Sequence, residues 1–319
     1  MIRSLVRGIG HYLPDRVVEN SEFEEFLDTT DEWILTRTGI SQRHFAAPDQ
    51  LTSDLATRAG WEALENASFD PADIDLVVLA TSTPDLTFPS TATRVQNELG
   101  MTRGFAFDIQ AVCSGFVYAL ANANAHLIAG HARRALVIGA EIFSRILDMD
   151  DRATCILFGD GAGAIVLEAS ESEESGILAT DLHSDGKYRD LLYVDGGVAK
   201  TQSAGQIRMN GKELFRHAVE KLTESTETSL RLAGLTIADV DVMVPHQANY
   251  RIMQATARRL NFPIDRMIVT VGHHGNTSAA SIPLALYSAH EQDRLHRGDV
   301  VVVKAIGGGL TWGSAVIRW

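Results

Sequence analysis

Three side chains able to do chemistry stand where an apolar run gives way to a helical one. Cys113 lies in Ala111-Val112-Cys113-Ser114-Gly115, between a short apolar strand over 105–109 and an Ala-rich stretch whose Val117, Leu120, Ala121 and Leu127 share one helical face. His246 lies in Pro245-His246-Gln247-Ala248-Asn249, just past another apolar run, and Asn276 in Gly272-His273-His274-Gly275-Asn276-Thr277-Ser278. A helix N-terminus carries partial positive charge and unpaired N–H groups, which favour a thiolate and predict a lowered pKa for Cys113. Taken alone, a free cysteine there is more often a small buried residue filling a gap, and a histidine at a strand end more often a structural hydrogen-bonder. Convergence changes the weighting, because strand-to-helix junctions of open α/β folds gather on one crevice. A fourth junction, Ala305 to Gly313, carries Gly307-Gly308-Gly309, whose bare backbone N–H groups suit an oxyanion.

The elements that must position these residues come in duplicate. The run 73–80 follows a helical stretch and leads to a loop, and 239–246 does the same; 133–140 resembles 298–305. Each half reads helix, strand, loop, helix, strand, helix, strand. Near-continuous Val/Ile/Leu runs predict strands covered on both faces, hence an α/β protein built from two stacked copies of one unit. The polar stretch 169–175 marks the junction, giving halves 1–170 and 171–319. Residues 153–158 around Cys155 read as a buried strand with an inert thiol. The glycines of 159–163 run into a strand, lack the phosphate-loop lysine, and read as a tight turn. The polar excursion 181–211 reads as a lid or entrance.

Composition narrows the function classes. The 319 residues carry a formal net charge of -13, which argues against a nucleic-acid partner, and no apolar run approaches a membrane span. No signal peptide is read at the N-terminus, and two cysteines are too few for a disulfide framework, so a cytoplasmic protein is expected. His273-His274 has no accompanying ligand spacing, and no metal site is expected. Trp33 and Arg37, four apart on a predicted helix, place an aromatic plane and a guanidinium on one face, an arrangement equally suited to an ordinary amphipathic surface.

The stretches AVCSGFVYAL, VPHQAN, HHGNTSAASIP and IGGGLTWGSA together closely resemble the β-ketoacyl-acyl-carrier-protein synthase III family, the initiating condensing enzymes of type II fatty acid synthesis. The resemblance runs from DEWILTRTGI to the C-terminal glycines. It implies a thiolase-like five-layered α-β-α-β-α fold and a homodimer. It makes Cys113 the residue acylated by acyl-CoA, with His246 and Asn276 binding the malonyl thioester of the acyl-carrier protein. The tetrahedral oxyanion would sit on the N–H groups of Cys113 and Gly308. The resemblance further places Trp33, Arg37, Arg152 and Asn249 in the CoA site, and has Phe88 reach across the dimer to close the acyl pocket. Lys212, Arg216, Arg251 and Arg258 form the expected basic patch for the acidic carrier, against a plain solvated face as the alternative. No metal or redox cofactor is implied, CoA thioesters being substrates. Acetyl-CoA is the default starter; branched or longer starters, or a role in secondary metabolism, are the alternatives.

Rival readings fare less well. A thiolase would carry a second cysteine near the C-terminal glycines, and elongating condensing enzymes have a second histidine where this chain has Asn276. A papain-like hydrolase shares the Cys, His, Asn order but not the repeat, the CoA-type residues or the glycine terminus. A non-catalytic relative would have lost Cys113, His246 or Asn276.

Overall fold

The computed structural model describes residues 1–171 and 175–319. Two sheets form its frame. The first has five strands in the order Ile2–Tyr12, Asp160–Glu171, Arg134–Ile142, Leu76–Ala80, Phe105–Ile109. The second has four, in the order Val242–Pro245, Val300–Gly307, Thr311–Arg318, Gly176–Ser184. In both, two antiparallel pairings are followed by parallel pairing, two such pairs in the first sheet and one in the second. Strand Leu76–Ala80 thus corresponds to Val242–Pro245, and Arg134–Ile142 to Val300–Gly307. A lone parallel bridge from Met243 to Met267 marks where the second sheet has the remnant of a fifth strand.

The alternation of side chains along each strand explains the layers. Val78, Val137 and Ile165 face inward with Phe116, Val117 and Leu120 of the helix Gly115–Ile128 and with Ile282, Ala285 and Leu286 of the helix Ser281–Glu291. Val301, Val303 and Ala315 of the second sheet meet the same two helices from the other side. Val77, Leu79, Leu136 and Ile138 face outward, under Leu55, Ala59 and Ala63 of the helix Thr52–Ala67. On the far side, Met243, Val302 and Val316 lie under Met253, Ala257 and Leu260 of the helix Tyr250–Leu260. Helix Gly211–Leu232 covers the rest of that face, with Ala218 and Leu222 against Ile306 and Trp312. Five layers result: helix, sheet, helix, sheet, helix.

One reading needs revision. Residues 153–157 form consecutive turns, with Cys155 N–H donating to Asp151 O and Leu157 N–H to Thr154 O, and Phe158 makes a lone parallel bridge to Asn276. An apolar run of that length looks the same in a strand and in a buried turn; here burial came from the neighbouring core, and Cys155 is fully buried as expected. The excursion 181–211 contains a small hairpin, Leu192–Val194 paired with Ile207–Met209. The expected junction at 169–175 overlaps the end of the strand Asp160–Glu171, and its residues 172–174 lie outside the described residues.

Candidate active site

Cys113 lies in the turn Val112–Ser114 that feeds the helix Gly115–Ile128, and it is buried. Val112 holds φ +48°, a left-handed conformation costly for a β-branched residue. The second half repeats the device: Ser278 holds φ +49° in the turn Ser278–Ala280, ahead of the helix Ser281–Glu291. Matching the two elbows puts Cys113 where the second half has Ala279. The glycine segment is fastened to the first elbow. A Cβ on Gly307 would stand 2.8 Å from both Ala111 O and Cys113 N. Thr311 Oγ1 donates to Ala111 O at 3.0 Å and lies 2.7 Å from Ser114 Oγ. Gly308 is therefore held beside the Cys113 turn.

The stretch 276–281 gathers the other polar groups. Asn276 Oδ1 accepts the Ser278 N–H at 3.0 Å, which leaves the Asn276 Nδ2 protons for a ligand. The turn Ser278–Ala280 packs against the Cys113 turn, and the Ser278 hydroxyl there favours the Cys113 thiolate. His246, anchored by its N–H on Lys304 O at 2.8 Å, has Nδ1 at 2.7 Å from Ser281 Oγ. That hydroxyl oxygen also accepts the Gln247 N–H at 3.2 Å; with the Ser281 proton given to Nδ1, the neutral imidazole carries its proton on Nε2. Burial holds the ring neutral, with a pKa pushed down to about 3. His246 is thus a neutral donor through Nε2.

The thiol overturns an expectation. Burial pushes Cys113 up to about 12, the Ser278 hydroxyl opposes the rise, and the Glu141 carboxylate adds to it. A dry pocket disfavours the thiolate more than the short turn at the helix start favours it. Cys113 rests as the thiol.

Glu141 is the residue that sequence reading passed over. It is fully buried on the strand Arg134–Ile142. Its Oε2 accepts from Ser82 N–H (2.9 Å), Thr81 Oγ1 (3.2 Å) and Thr83 Oγ1 (2.8 Å), and its Oε1 from Ser278 Oγ (3.1 Å). Burial raises its pKa to about 7 against those donors. The available signal was one acid inside the otherwise apolar run Leu136-Val137-Ile138-Gly139-Ala140-Glu141-Ile142.

The other expected residues fall into separate groups. The guanidinium groups of Arg37 and Arg152 each lie 4.6 Å from the Trp33 ring, so these three do come together. Arg152 also donates to Asp28 O. Asn249 caps the helix Tyr250–Leu260 by accepting from Arg251 N–H at 2.9 Å and donates to Arg37 O at 3.2 Å. Its amide therefore ties that helix to the Trp33–Arg37 helix. Phe88 projects from the loop after Thr81, 82 % exposed. Lys212 and Arg216 are exposed on the helix Gly211–Leu232, which packs against the helix bearing the exposed Arg251 and Arg258. Arg216 is partnered by Glu213 at 2.9 Å.

A cavity of about 1020 Å³ adjoins the elbow, lined by Val112, Gly308, Ile142, Phe143, Leu192 and Ile207 among others. The hairpin from the 181–211 excursion forms one wall, and Ser82 to Thr87 form another. No group of acids, histidines and cysteines among the described residues is arranged to hold a metal ion, and no helix there is long and apolar enough to cross a membrane.

The family models for 3-oxoacyl-[acyl-carrier-protein] synthase III match residues 107–186 and, for its C-terminal part, 230–319. The chain is 64 % identical over 322 residues to β-ketoacyl-[acyl-carrier-protein] synthase III of Cereibacter sphaeroides, covering 100 % of this chain and 99 % of that protein. It is 63 % identical over 323 residues to the protein of that name from Paracoccus denitrificans, covering 100 % of both. Among solved structures, 3-oxoacyl-(acyl carrier protein) synthase III from Pseudomonas aeruginosa PAO1 superposes with a TM-score of 0.95 at 45 % identity, covering 99 % of this chain and 98 % of that one.

Proposed function

The chain belongs to the 3-oxoacyl-[acyl-carrier-protein] synthase III family, and from that premise we propose that it joins an acyl group from acyl-CoA to a malonyl unit carried on acyl-carrier protein, with Cys113 as the acylated residue. It is a condensing acyltransferase of thiolase-like fold that initiates fatty acid synthesis. Acetyl-CoA is the starter proposed.

The Cys113 sulfur attacks the thioester carbonyl, and the N–H groups of Cys113 and Gly308 receive the developing oxyanion. CoA leaves with a proton on its sulfur. The malonyl thioester then enters; Nε2–H of His246 and Nδ2–H of Asn276 donate to its carbonyl oxygen. As CO2 departs, the electron pair of the broken C–C bond becomes an enolate held on those donors, in a site from which burial excludes water. Its carbon attacks the Cys113 thioester, the C–S bond breaks with its electron pair on sulfur, 3-oxoacyl carrier protein is released, and the Cys113 thiolate takes up one proton from solvent to return to the thiol. Electrons move in pairs and no redox equivalent is consumed. The observation that carries this reading is the stretch 276–281, which presents Asn276, the Ser278 contact to Cys113 and the Ser281 contact to His246 within six residues.

CoA is assigned to Trp33, Arg37 and Arg152. Because Arg152 already lies 4.6 Å from the ring, an adenine stacked on Trp33 must displace it. Asn249 shapes the passage indirectly, by fixing the main chain at Arg37. Lys212, Arg216, Arg251 and Arg258 are assigned to the carrier protein. The homodimer is proposed from two features: the edge strand Phe105–Ile109 keeps one side unpaired among the described residues, and Phe88 with Leu86 (60 % exposed) stands out from the same end of the sheet.

The test is acyl transfer read by intact mass. Cys113→Ala should gain no acyl mass from acetyl-CoA, whereas His246→Ala should acylate normally and lose condensation by about 10²-fold or more. Acyl mass retained in Cys113→Ala would overturn the assignment.

A further inference from the structure

The Cys113 proton that ends on the CoA sulfur needs a group to hold it while the S–C bond forms. Cys113 rests as a thiol, yet sulfur must be free of its proton when it bonds to the acyl carbon. His246 does not serve, because Nδ1 accepts from Ser281 and Nε2 already bears a proton. We propose that Glu141, acting through the Ser278 hydroxyl, accepts the Cys113 proton during acylation, so that Glu141 and Ser278 position the thiol for attack and carry its proton away.

The geometry is continuous. The Cys113 turn packs against the turn Ser278–Ala280, whose Ser278 hydroxyl favours the Cys113 thiolate, and Ser278 Oγ stands 3.1 Å from Glu141 Oε1. Oε2 is occupied by donors from residues 81–83, while Ser278 supplies the one donor found on Oε1 among the described residues, leaving that oxygen capacity for a proton. As the S–C bond forms, the thiol proton passes to Ser278 Oγ and the hydroxyl proton of Ser278 passes to Glu141 Oε1. When the C–S bond to CoA breaks, the proton on Glu141 Oε1 returns to Ser278 Oγ as the Ser278 hydroxyl gives its own proton to the departing CoA sulfur. Glu141 and Ser278 end as they began. Sharing a single negative charge fits the effect of the acid on the thiol, since an ionised Glu141 disfavours the thiolate. A carboxylate held near neutrality suits reversible proton storage at ordinary pH.

The surroundings of Glu141 are otherwise uncharged toward it. Asp160, on the neighbouring strand opposite Ile142, is turned to Ser144 and the Ala46 N–H. Asp85, in the loop beyond Thr83, faces Arg94. Ser278 and Cys113 complete the facing groups from the two elbows.

This inference rests on Cys113 being the acylated residue, which the Cys113→Ala measurement decides separately. Its own test is the single-turnover rate of acylation by acetyl-CoA, measured against pH for wild type, Glu141→Gln and Ser278→Ala. Wild-type acylation should fall as pH drops through about 7, where the carboxylate takes up its proton. Glu141→Gln should acylate about 10²-fold more slowly and lose that inflection. Once acylated by long incubation, the same variant should condense with malonyl-acyl-carrier protein at the wild-type rate. Ser278→Ala, which leaves the carboxylate in place, should show the same slow acylation. Wild-type acylation rates and an unchanged pH profile in both variants would overturn the proposal. So would equal losses in acylation and condensation, which indicate a merely structural acid.

Discussion

His246 and Glu141 are both buried without an ion-pair partner among the described residues, and burial moves them in opposite directions. The sign of each effect follows from which form binds protons first. His246 and His274, lowered to about 3 and about 4, remain neutral in the fold while the unfolded chain protonates near the ordinary 6.5, so acidification below that value costs stability. Glu141, raised to about 7 from 4.5, takes up its proton in the fold first, so acidification across that window restores some. For function, the consequence is separation of the two half-reactions by pH. Condensation by pre-acylated enzyme should stay level from about pH 8 to about pH 5, because a histidine in this environment does not titrate there. Stopped-flow condensation with pre-acylated protein checks this. A decline centred near 6.5 would mean that His246 titrates like an exposed imidazole and is not a fixed neutral donor.

Packing between elements depends on positions where a side chain cannot fit. A Cβ on Gly10 would stand 2.3 Å from Ala59 O, and one on Gly8 2.2 Å from Ala63 O, so the helix Thr52–Ala67 lies directly on the first strand. Gly10→Ala should therefore lower stability by about 1–3 kcal/mol in urea melts. Gly186→Ala, where nothing stands within 4 Å, should change it by no more than about 0.5 kcal/mol. Gly307→Ala presses on Cys113 N and Ala111 O, so its loss should show in acylation before it shows in melting. Elements of this kind were largely legible in the sequence. The uninterrupted apolar runs at 76–80 and 300–303 announce strands covered on both faces, and the internal repeat aligns them. What escaped was set by contacts far apart in the chain. Residues 153–157 have a strand's composition and a turn's hydrogen bonds. The Cys113 thiol was read from its local helix start, whereas the surrounding burial dominates its pKa. Glu141 carries no motif; its meaning comes from Ser278, 137 positions away.

At the scale of the whole molecule, the loop that carries Phe88 also walls the cavity. Ser82 to Thr87 line the cavity, while Phe88 itself turns outward and is 82 % exposed. An aromatic ring left this exposed gains about 1.5–3 kcal/mol when it is covered, so a second copy that receives it is favoured. If the ring closes the acyl pocket of the opposite subunit, Phe88→Ala should enlarge that pocket. The variant should then raise acylation by four- to eight-carbon acyl-CoA about tenfold relative to acetyl-CoA, a gain comparable to removing one or two methylenes' worth of steric limit. A mixed dimer separates action across the interface from action within one chain. Pairing a Cys113→Ala subunit with a Phe88→Ala subunit leaves one working cysteine, in the subunit that lacks its own Phe88. Closure from across the interface predicts wild-type chain-length preference in that mixed dimer, because the Cys113→Ala subunit still supplies the ring. Closure within a chain predicts the widened preference of the Phe88→Ala homodimer. Tandem purification with two different affinity tags, followed by mass analysis of the acylated subunit, distinguishes the two.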